Sequence, residues 1–523
     1  MRKIYFTLIV LLAAMIAMAY VYFAKLNKEN SYHEISLYAA TANSGLVFSL
    51  QNDKSVFEIL KGQNLFEKLI GQTKFDQLSL LKTKLTTLPA INNLITGSNI
   101  FISFSAGKNK ETDYLISTQF NQSQEQPQLL EALKANGIKL SPEQGLMKMT
   151  LNDSVSFYLG TETNLILLSN SAGPVQTALN SLKEKKSQDF VNYIKSHHNH
   201  SKNSLGNLFI DFARLPAFLK AILPGALNGN MDVFVKTQAF ASLNYNFSKE
   251  RIFFNGNTKI NDPKNYLNLF TSQVVHKNTI DNLLPENTAS FKLYAIPDYS
   301  AWHKTLNNWF TLHKEDKKVK KIIQDTDKEY RLNPDDIFPK YFKDQLITFQ
   351  LKTGENLAAI NLSNGDQVKQ LLLDISQDYN EDIKVLKKAN LLYSYFGEPF
   401  KKFSKPYYLI ADNYMVFSNQ PSSLQDFLTA YRNNKLLINT PDYINLYSQI
   451  SNNANITYYV NHKNADDLIR KAIYRPYYNY FNAENGLKQF SSFIYQLNAD
   501  QGAFQTTLLI NTATAHTAED LTN

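Results

Sequence analysis

At 523 residues, with 44% hydrophobic and 19% charged residues, the chain is long enough for more than one core and too apolar for disorder over most of its length. Lys and Arg number 54 against 46 Asp and Glu, a net charge of +8 spread among acids along the whole chain, which excludes the concentrated basic footprint of a nucleic-acid-binding protein. Cysteine is absent, and this excludes disulfides, thiolate zinc sites, a cysteine nucleophile and lipid attachment through a lipobox cysteine.

Arg2 and Lys3 precede an uncharged apolar run from Ile4 to Ala24, after which Lys25 and Lys28 open a polar stretch. At about 1.5 Å per residue, such a run spans a hydrocarbon core of about 30 Å. The apolar region of a cleaved signal peptide is shorter, about 7 to 15 residues. Residues 1–3 are therefore expected as a cytoplasmic N-terminus and 4–24 as a transmembrane anchor. The alternative is a signal peptide, for which Ala17-Met18-Ala19 offers a small-residue cleavage triplet. The leading basic residues favour an N-terminus inside. The remaining body then lies in the periplasm of a bacterium, as a single-pass protein of the inner membrane.

Beyond the anchor, SGLVFSLQNDKSVFEIL (Ser44 to Leu60) predicts a strand and a helix capped around Asp53. Asn99 to Phe120 reads as a hairpin turning near Gly107. A second hairpin, SFYLGTETNLILLS (Ser156 to Ser169), turns at Thr161 to Asn164 and leads through Ser169-Asn170 into an amphipathic helix. Val175, Ala178, Leu179 and Leu182 form its apolar stripe at i, i+3, i+4, i+7, and Pro174 marks its first position. Leu208 to Leu223 then predicts a strand and helix, followed by a strand pair ending near Ile260.

The same order then returns. Thr288 to Leu306 matches the segment from Ser44, with Asp298 as the cap, and Gln345 to Ser363 matches the hairpin from Asn99, with Gly354 near its turn. KPYYLIADNYMVFS turns at Asp412-Asn413, and YMVFSNQPSSLQDFL (Tyr414 to Leu428) repeats LILLSNSAGPVQTAL (Leu165 to Leu179). Leu424, Phe427, Leu428 and Tyr431 take the stripe positions, and Ser422-Ser423-Leu424-Gln425 reads as a capping box. Tyr458 to Tyr474 matches the segment from Leu208, and a last strand pair ends near Ile510. Ser169-Asn170 and Ser418-Asn419 read as turn closers. The fold class is α+β: two tandem copies of an antiparallel-sheet-plus-helices unit, helices on one face, behind an N-terminal transmembrane helix. The boundaries are 35–262 for repeat unit 1, 263–285 for a connector, 286–515 for repeat unit 2 and 516–523 for a frayed tail.

Chemistry is sparse by comparison. His197, His198 and His200 fall in a polar stretch that reads as a solvated loop, and His303 is expected on a helix surface. Neither a glycine-rich phosphate loop nor a GxSxG elbow occurs in a persuasive context. Asp335-Asp336 and Asp466-Asp467 suit helix starts, and KEDKKVKK (Lys314 to Lys321) suits a solvated helix face. Two aromatic patches, Tyr393 to Ile410 and Tyr474 to Phe481, suit an interface, a core lining or a membrane-facing surface, while Leu215 to Leu227 reads as a buried helix, with a helix dipping into lipid as the alternative. No catalytic, cofactor-binding or metal residue is assigned, and no cofactor is expected.

In its N-terminal anchor, its opening strand-helix units and its FSN-like strand-turn-helix motif (Phe417-Ser418-Asn419), the chain resembles an uncharacterised family of membrane-anchored envelope proteins of Gram-negative bacteria, of the domain-of-unknown-function type. The resemblance implies location and architecture. Together with the duplication it points to a non-catalytic binding or scaffold protein of the cell envelope with a protein partner. A carrier or chaperone for a hydrophobic ligand, such as a lipid or lipoprotein acyl chain, is the second expectation, and an enzyme with an unrecognised site the third.

Overall fold

The computed structural model describes residues 35–42, 44–51, 72–86, 94–95, 98–107, 111–120, 126–183, 189–197, 204–224, 237–246, 251–483 and 487–512. The expected anchor at 4–24, the cap at Asp53 and the tail at 516–523 lie outside these residues. Among the described residues no helix is long and apolar enough to cross a membrane. The chain divides into two compact units, with the main boundary between Ala221 and Ile222.

In the first unit the strands are β1 (Leu46–Gln51), β2 (Asn99–Ala106), β3 (Thr112–Gln119), β4 (Lys139–Glu143), β5 (Leu146–Thr150), β6 (Ser156–Glu162), β7 (Leu165–Ser169) and β8 (Ser204–Asp211). They pair antiparallel in the order β4-β5-β6-β7-β3-β2-β1-β8. The helices are α1 (Gln72–Thr86), α2 (Gln126–Ala135), α3 (Ala172–Lys183), α4 (Asp189–His197) and α5 (Leu215–Leu219). All five residues of β7 are buried. Leu165 and Leu167 pack with Val175 and Ala178 of α3, while Ile166 and Leu168 pack with Leu129 and Leu133 of α2. Helices thus cover both faces of the sheet at β7. The one-sided arrangement expected from the sequence is corrected here, and the unbroken apolar run of β7 is the reason, since alternate residues need a cover on each side.

In the second unit the strands are β9 (Ala239–Asn246), β10 (Arg251–Ile260), β11 (Thr288–Ala295), β12 (Phe342–Leu351), β13 (Asn356–Leu362), β14 (Ser376–Asp378), β15 (Lys384–Leu386), β16 (Tyr407–Ala411), β17 (Tyr414–Ser418), β18 (Ile456–Asn461), β19 (Phe490–Asp500) and β20 (Ala503–Thr512). Their antiparallel order is β14-β15-β16-β17-β13-β12-β11-β18-β19-β20-β10-β9. The hairpin β9–β10 is joined to β20 through Arg251–Thr258 and belongs to this unit. The helices are α6 (Tyr299–Leu312), α7 (Asp316–Tyr330), α8 (Phe338–Tyr341), α9 (Gly365–Leu371), α10 (Leu391–Phe396), α11 (Pro421–Arg432), α12 (Pro441–Tyr447), α13 (His462–Ala472) and α14 (Arg475–Phe481). Val416 of β17 packs with Leu424, Phe427 and Leu428 of α11, and Phe417 turns the other way onto Phe400, ring centroids 5.5 Å apart.

The two sheets share a register. In the first unit Phe209, Val47, Ser103, Leu115, Ser169, Tyr158, Lys148 and Ser141 stand opposite one another in a row across eight strands. The row in the second unit is Tyr459, Phe291, Phe349, Leu357, Ser418, Tyr407, Val385 and Gln377. Residues aligned from sequence occupy the same places: Val47 with Phe291, Ser103 with Phe349, Ser169 with Ser418 and Phe209 with Tyr459.

Helix starts differ from expectation. α3 begins at Ala172, so Pro174 is its third residue, a position whose N–H has no intrahelical partner in any case. α11 begins at Pro421, and its N-cap Gln420 makes no side-chain cap, so Ser422-Ser423-Leu424-Gln425 is not a capping box: proline already fixes the first turn. Asp298 does cap α6, accepting from the Ala301 N–H at 2.9 Å. The stretch 263–285 is packed, not a bare connector. Two 3-10 turns, Tyr266–Phe270 and Ile280–Leu283, bury Tyr266, Leu267, Leu269, Phe270, Ile280 and Leu283.

Candidate functional site

The polar residues common to both units serve turns. Ser169 Oγ accepts from the Ser171 N–H at 3.2 Å, and Ser418 Oγ accepts from the Gln420 N–H at 3.1 Å. Thr163 and Asp412 take positive φ, 56° and 50°, as the first loop residues of the two hairpins. The next carbonyls, of Asn164 and Asn413, accept from the N–H groups of Phe120 and Leu362 at 2.8 and 2.7 Å. These side chains and carbonyls hold the chain's corners, which leaves the sites peculiar to one unit as the candidates for function.

Of the two aromatic patches, one is core. Every residue of α10 is buried, and Tyr393 and Tyr395 turn their hydroxyls onto Glu315 and Asp335, the latter at 2.6 Å. Of the readings open for Tyr393 to Ile410, its helical part is core lining, because a six-residue run without a polar face can only be enclosed. The other patch lies at the surface, on α13 and α14. Asp466 of α13 accepts from the Tyr478 hydroxyl at 3.1 Å and from the Asn482 amide at 2.8 Å, and His462 meets the Phe481 ring edge-on at 4.6 Å. These contacts fix α14 to α13. Lys463, Arg470, Lys471, Ala472, Arg475 and Pro476 are exposed on the pair, with Ile469, Ile473, Tyr474, Tyr477 and Tyr478 half-buried.

Two polar clusters, one buried and one partly buried, were not foreseen. Asp281 is buried, and its Oδ2 accepts from the Tyr443 hydroxyl at 2.7 Å; burial pushes its carboxyl above the usual carboxylate range, partly offset by that hydrogen bond. His276 Nε2 lies 2.9 Å from Asp344 Oδ2, and the Asn361 amide donates to the other oxygen of Asp344. Beside it, Gln345 accepts from the N–H groups of Thr279 and Ile280 at 3.0 and 2.9 Å and donates to the Lys277 carbonyl at 2.6 Å. The two clusters fasten residues 276–281 to β12 and α12. No spacing in the sequence joins these residues, which come from four separate elements.

The remaining expectations fall as follows. His197 ends α4, stacked on Tyr193 at 4.1 Å, with Nδ1 2.9 Å from the Tyr193 carbonyl, so it is helical and not in a loop; His198 and His200 lie outside the described residues. His303 is half-buried, stacked against Tyr299 at 5.3 Å and Tyr395 at 6.1 Å, where it was expected on the surface. Its enclosure by α10 is the cause. In α7 Lys317, Lys318, Lys320 and Lys321 are exposed and Val319 is buried, a solvated charged face. Within the described part of Leu215 to Leu227, residues 215–224, the helix is α5, none of whose residues is fully buried. Among the described residues no group of three or more potential metal ligands converges. No family model, curated protein or solved structure matches the chain.

Proposed function

We propose that the chain is a membrane-anchored binding or scaffold protein of the bacterial cell envelope. Residues 4–24 hold it in the inner membrane, and its body, two copies of one α+β unit, stands in the periplasm. The observation that carries this reading is the matched row across eight strands, Phe209 to Ser141 and Tyr459 to Gln377. A register kept over eight strands supports duplication, because a one-residue slip in any pair would turn every side chain beyond it to the other face.

What recurs on that framework is turn chemistry at Ser169 and Ser418. A duplicated frame with shared corners and divergent surfaces suits contact-making. The test is affinity capture of the full-length protein from solubilised membranes after crosslinking, under several growth conditions. A reproducible envelope protein is expected. A chain that stays alone under every condition overturns the scaffold reading.

A further inference from the structure

Resting on that binding reading, we propose that the outer face of α7 docks an acidic segment of the protein partner. α7 buries Val319 and Thr326 and half-buries Ile322, Ile323 and Tyr330, all on one side, so its inward stripe is complete within the unit. Lys317, Lys320, Lys321 and Lys328 stand exposed on the opposite side, with exposed Lys318 at its edge. Among the described residues none of these lysines pairs with an acid. Glu315 accepts from the Tyr393 hydroxyl, and Glu329 pairs with Lys388 at 2.9 Å. Asp316 and Asp325 are half-buried, and exposed Asp327 lies in the last turn.

Two local rules are broken on this face. Lys317 and Lys321 stand four residues apart, and Lys317 and Lys320, like Lys318 and Lys321, three apart, spacings at which like charges repel. Lys317 and Lys318 also occupy the first turn, at the positive end of the helix macrodipole. No contact among the described residues offsets either effect, and an anion on this face would relieve both. The first copy lacks the cluster. α1 and α7 are both 15 residues long and fall at the offset that relates Val47 to Phe291, yet the positions of Lys317, Lys318, Lys320 and Lys321 hold Thr73, Lys74, Asp76 and Gln77 in α1.

An acidic protein segment matches the spacing. Lys317 and Lys321 are about 6 Å apart along the helix axis, a step that carboxylates four apart on a facing helix, or two apart on an extended segment, repeat. None of the large hydrophobic residues exposed in the described chain lies in α7, so the helix offers a bilayer nothing to insert.

The experiment places a photo-crosslinking residue at Gln324, exposed on the lysine face, in the full-length protein in cells, and identifies the crosslinked peptide by mass spectrometry. A protein segment in which Asp and Glu outnumber Lys and Arg is expected. In parallel, the purified full-length protein in neutral detergent is titrated with a fluorescent polyglutamate peptide. Lys317→Gln/Lys321→Gln should lower its affinity about tenfold. The control Lys463→Gln/Lys471→Gln, at exposed lysines of α13, should leave it unchanged. The α7 variant should also raise the unfolding midpoint of the free protein, because the repulsion is gone. Equal affinity in the two variants overturns the inference, and so does a loss of stability in the α7 variant, which would make these lysines structural. Crosslinks only to lipid or glycan overturn it as well. A partner captured through another face, with α7 unlabelled, overturns it and leaves the scaffold reading standing, whereas no partner through any face removes both.

Discussion

The Tyr443 hydroxyl donates to Asp281 Oδ2 at 2.7 Å inside the second unit, and among the described residues no cation pairs with this buried carboxyl. Tyr447, half-buried, packs on buried Tyr443 with ring centroids 4.6 Å apart, and desolvation together with the Asp281 charge holds both phenols well above the usual range. Tyr414, on β17, feels the same carboxylate.

Because burial raises the Asp281 carboxyl above its ordinary 3.8, the folded state binds this proton more tightly than the unfolded one. The stability it contributes is fully present below about 3.8 and is lost as pH rises through the raised native value. Asp281→Asn keeps an acceptor for Tyr443 without a charge to bury. Denaturation midpoints measured across pH should show the variant gaining on the wild type as pH rises, whereas parallel profiles would refute the assignment.

His303 works in the opposite sense. Burial between Tyr299 and Tyr395 lowers its imidazole below the ordinary 6.5, with Asp335 opposing the shift in part. Its contribution is present above 6.5 and lost as pH falls through the lowered native value. Titration of the His303 ring protons by NMR should give a midpoint below 6.5. A midpoint at or above that value contradicts the sandwich.

Gly397 ends α10 at φ 70°, and a Cβ built there meets Tyr266 at 2.8 Å and Leu306 at 3.0 Å. Both the left-handed backbone and the close approach call for glycine. Gly397→Ala should cost more than about 1 kcal/mol in equilibrium unfolding. A neutral result would mean that this corner is looser than drawn.

Ala178 and Phe427 hold the same stripe position in α3 and α11, and both are completely buried. The difference in volume is taken up by the surrounding side chains, so neither should tolerate the other's residue. Phe427→Ala is expected to cost about 3–5 kcal/mol through the cavity it leaves. Ala178→Phe should cost about 1–3 kcal/mol through overpacking. If Ala178→Phe proves neutral in thermal unfolding, the two helices do not pack as described.

The order of strands in the sheet and the short strands β4, β5, β14 and β15 were not legible from the chain, whereas the hairpins were, because a buried strand next to a turn leaves a local pattern. Leu165 to Ser169 and Tyr414 to Ser418 carry it almost residue by residue. The aromatic patches were not separable by composition: Tyr393 and Tyr474 look alike in sequence, and only tertiary enclosure buries the first. The Asp298 cap was read correctly, but the start of α11 was not, since Pro421 and Ser422 each offer a boundary and the backbone uses one. The Asp281 and His276 clusters were invisible, because Asp281 meets Tyr443 and His276 meets Asp344 only once distant elements have packed.

The central claim is a periplasmic body held in the inner membrane by residues 4–24, and alkaline extraction of membranes combined with protease added to intact spheroplasts tests it most directly. The account predicts a full-length chain that stays in the membrane pellet and loses its body to the external protease. A chain released into the soluble fraction, or one left whole while the protease digests known periplasmic proteins, would contradict it.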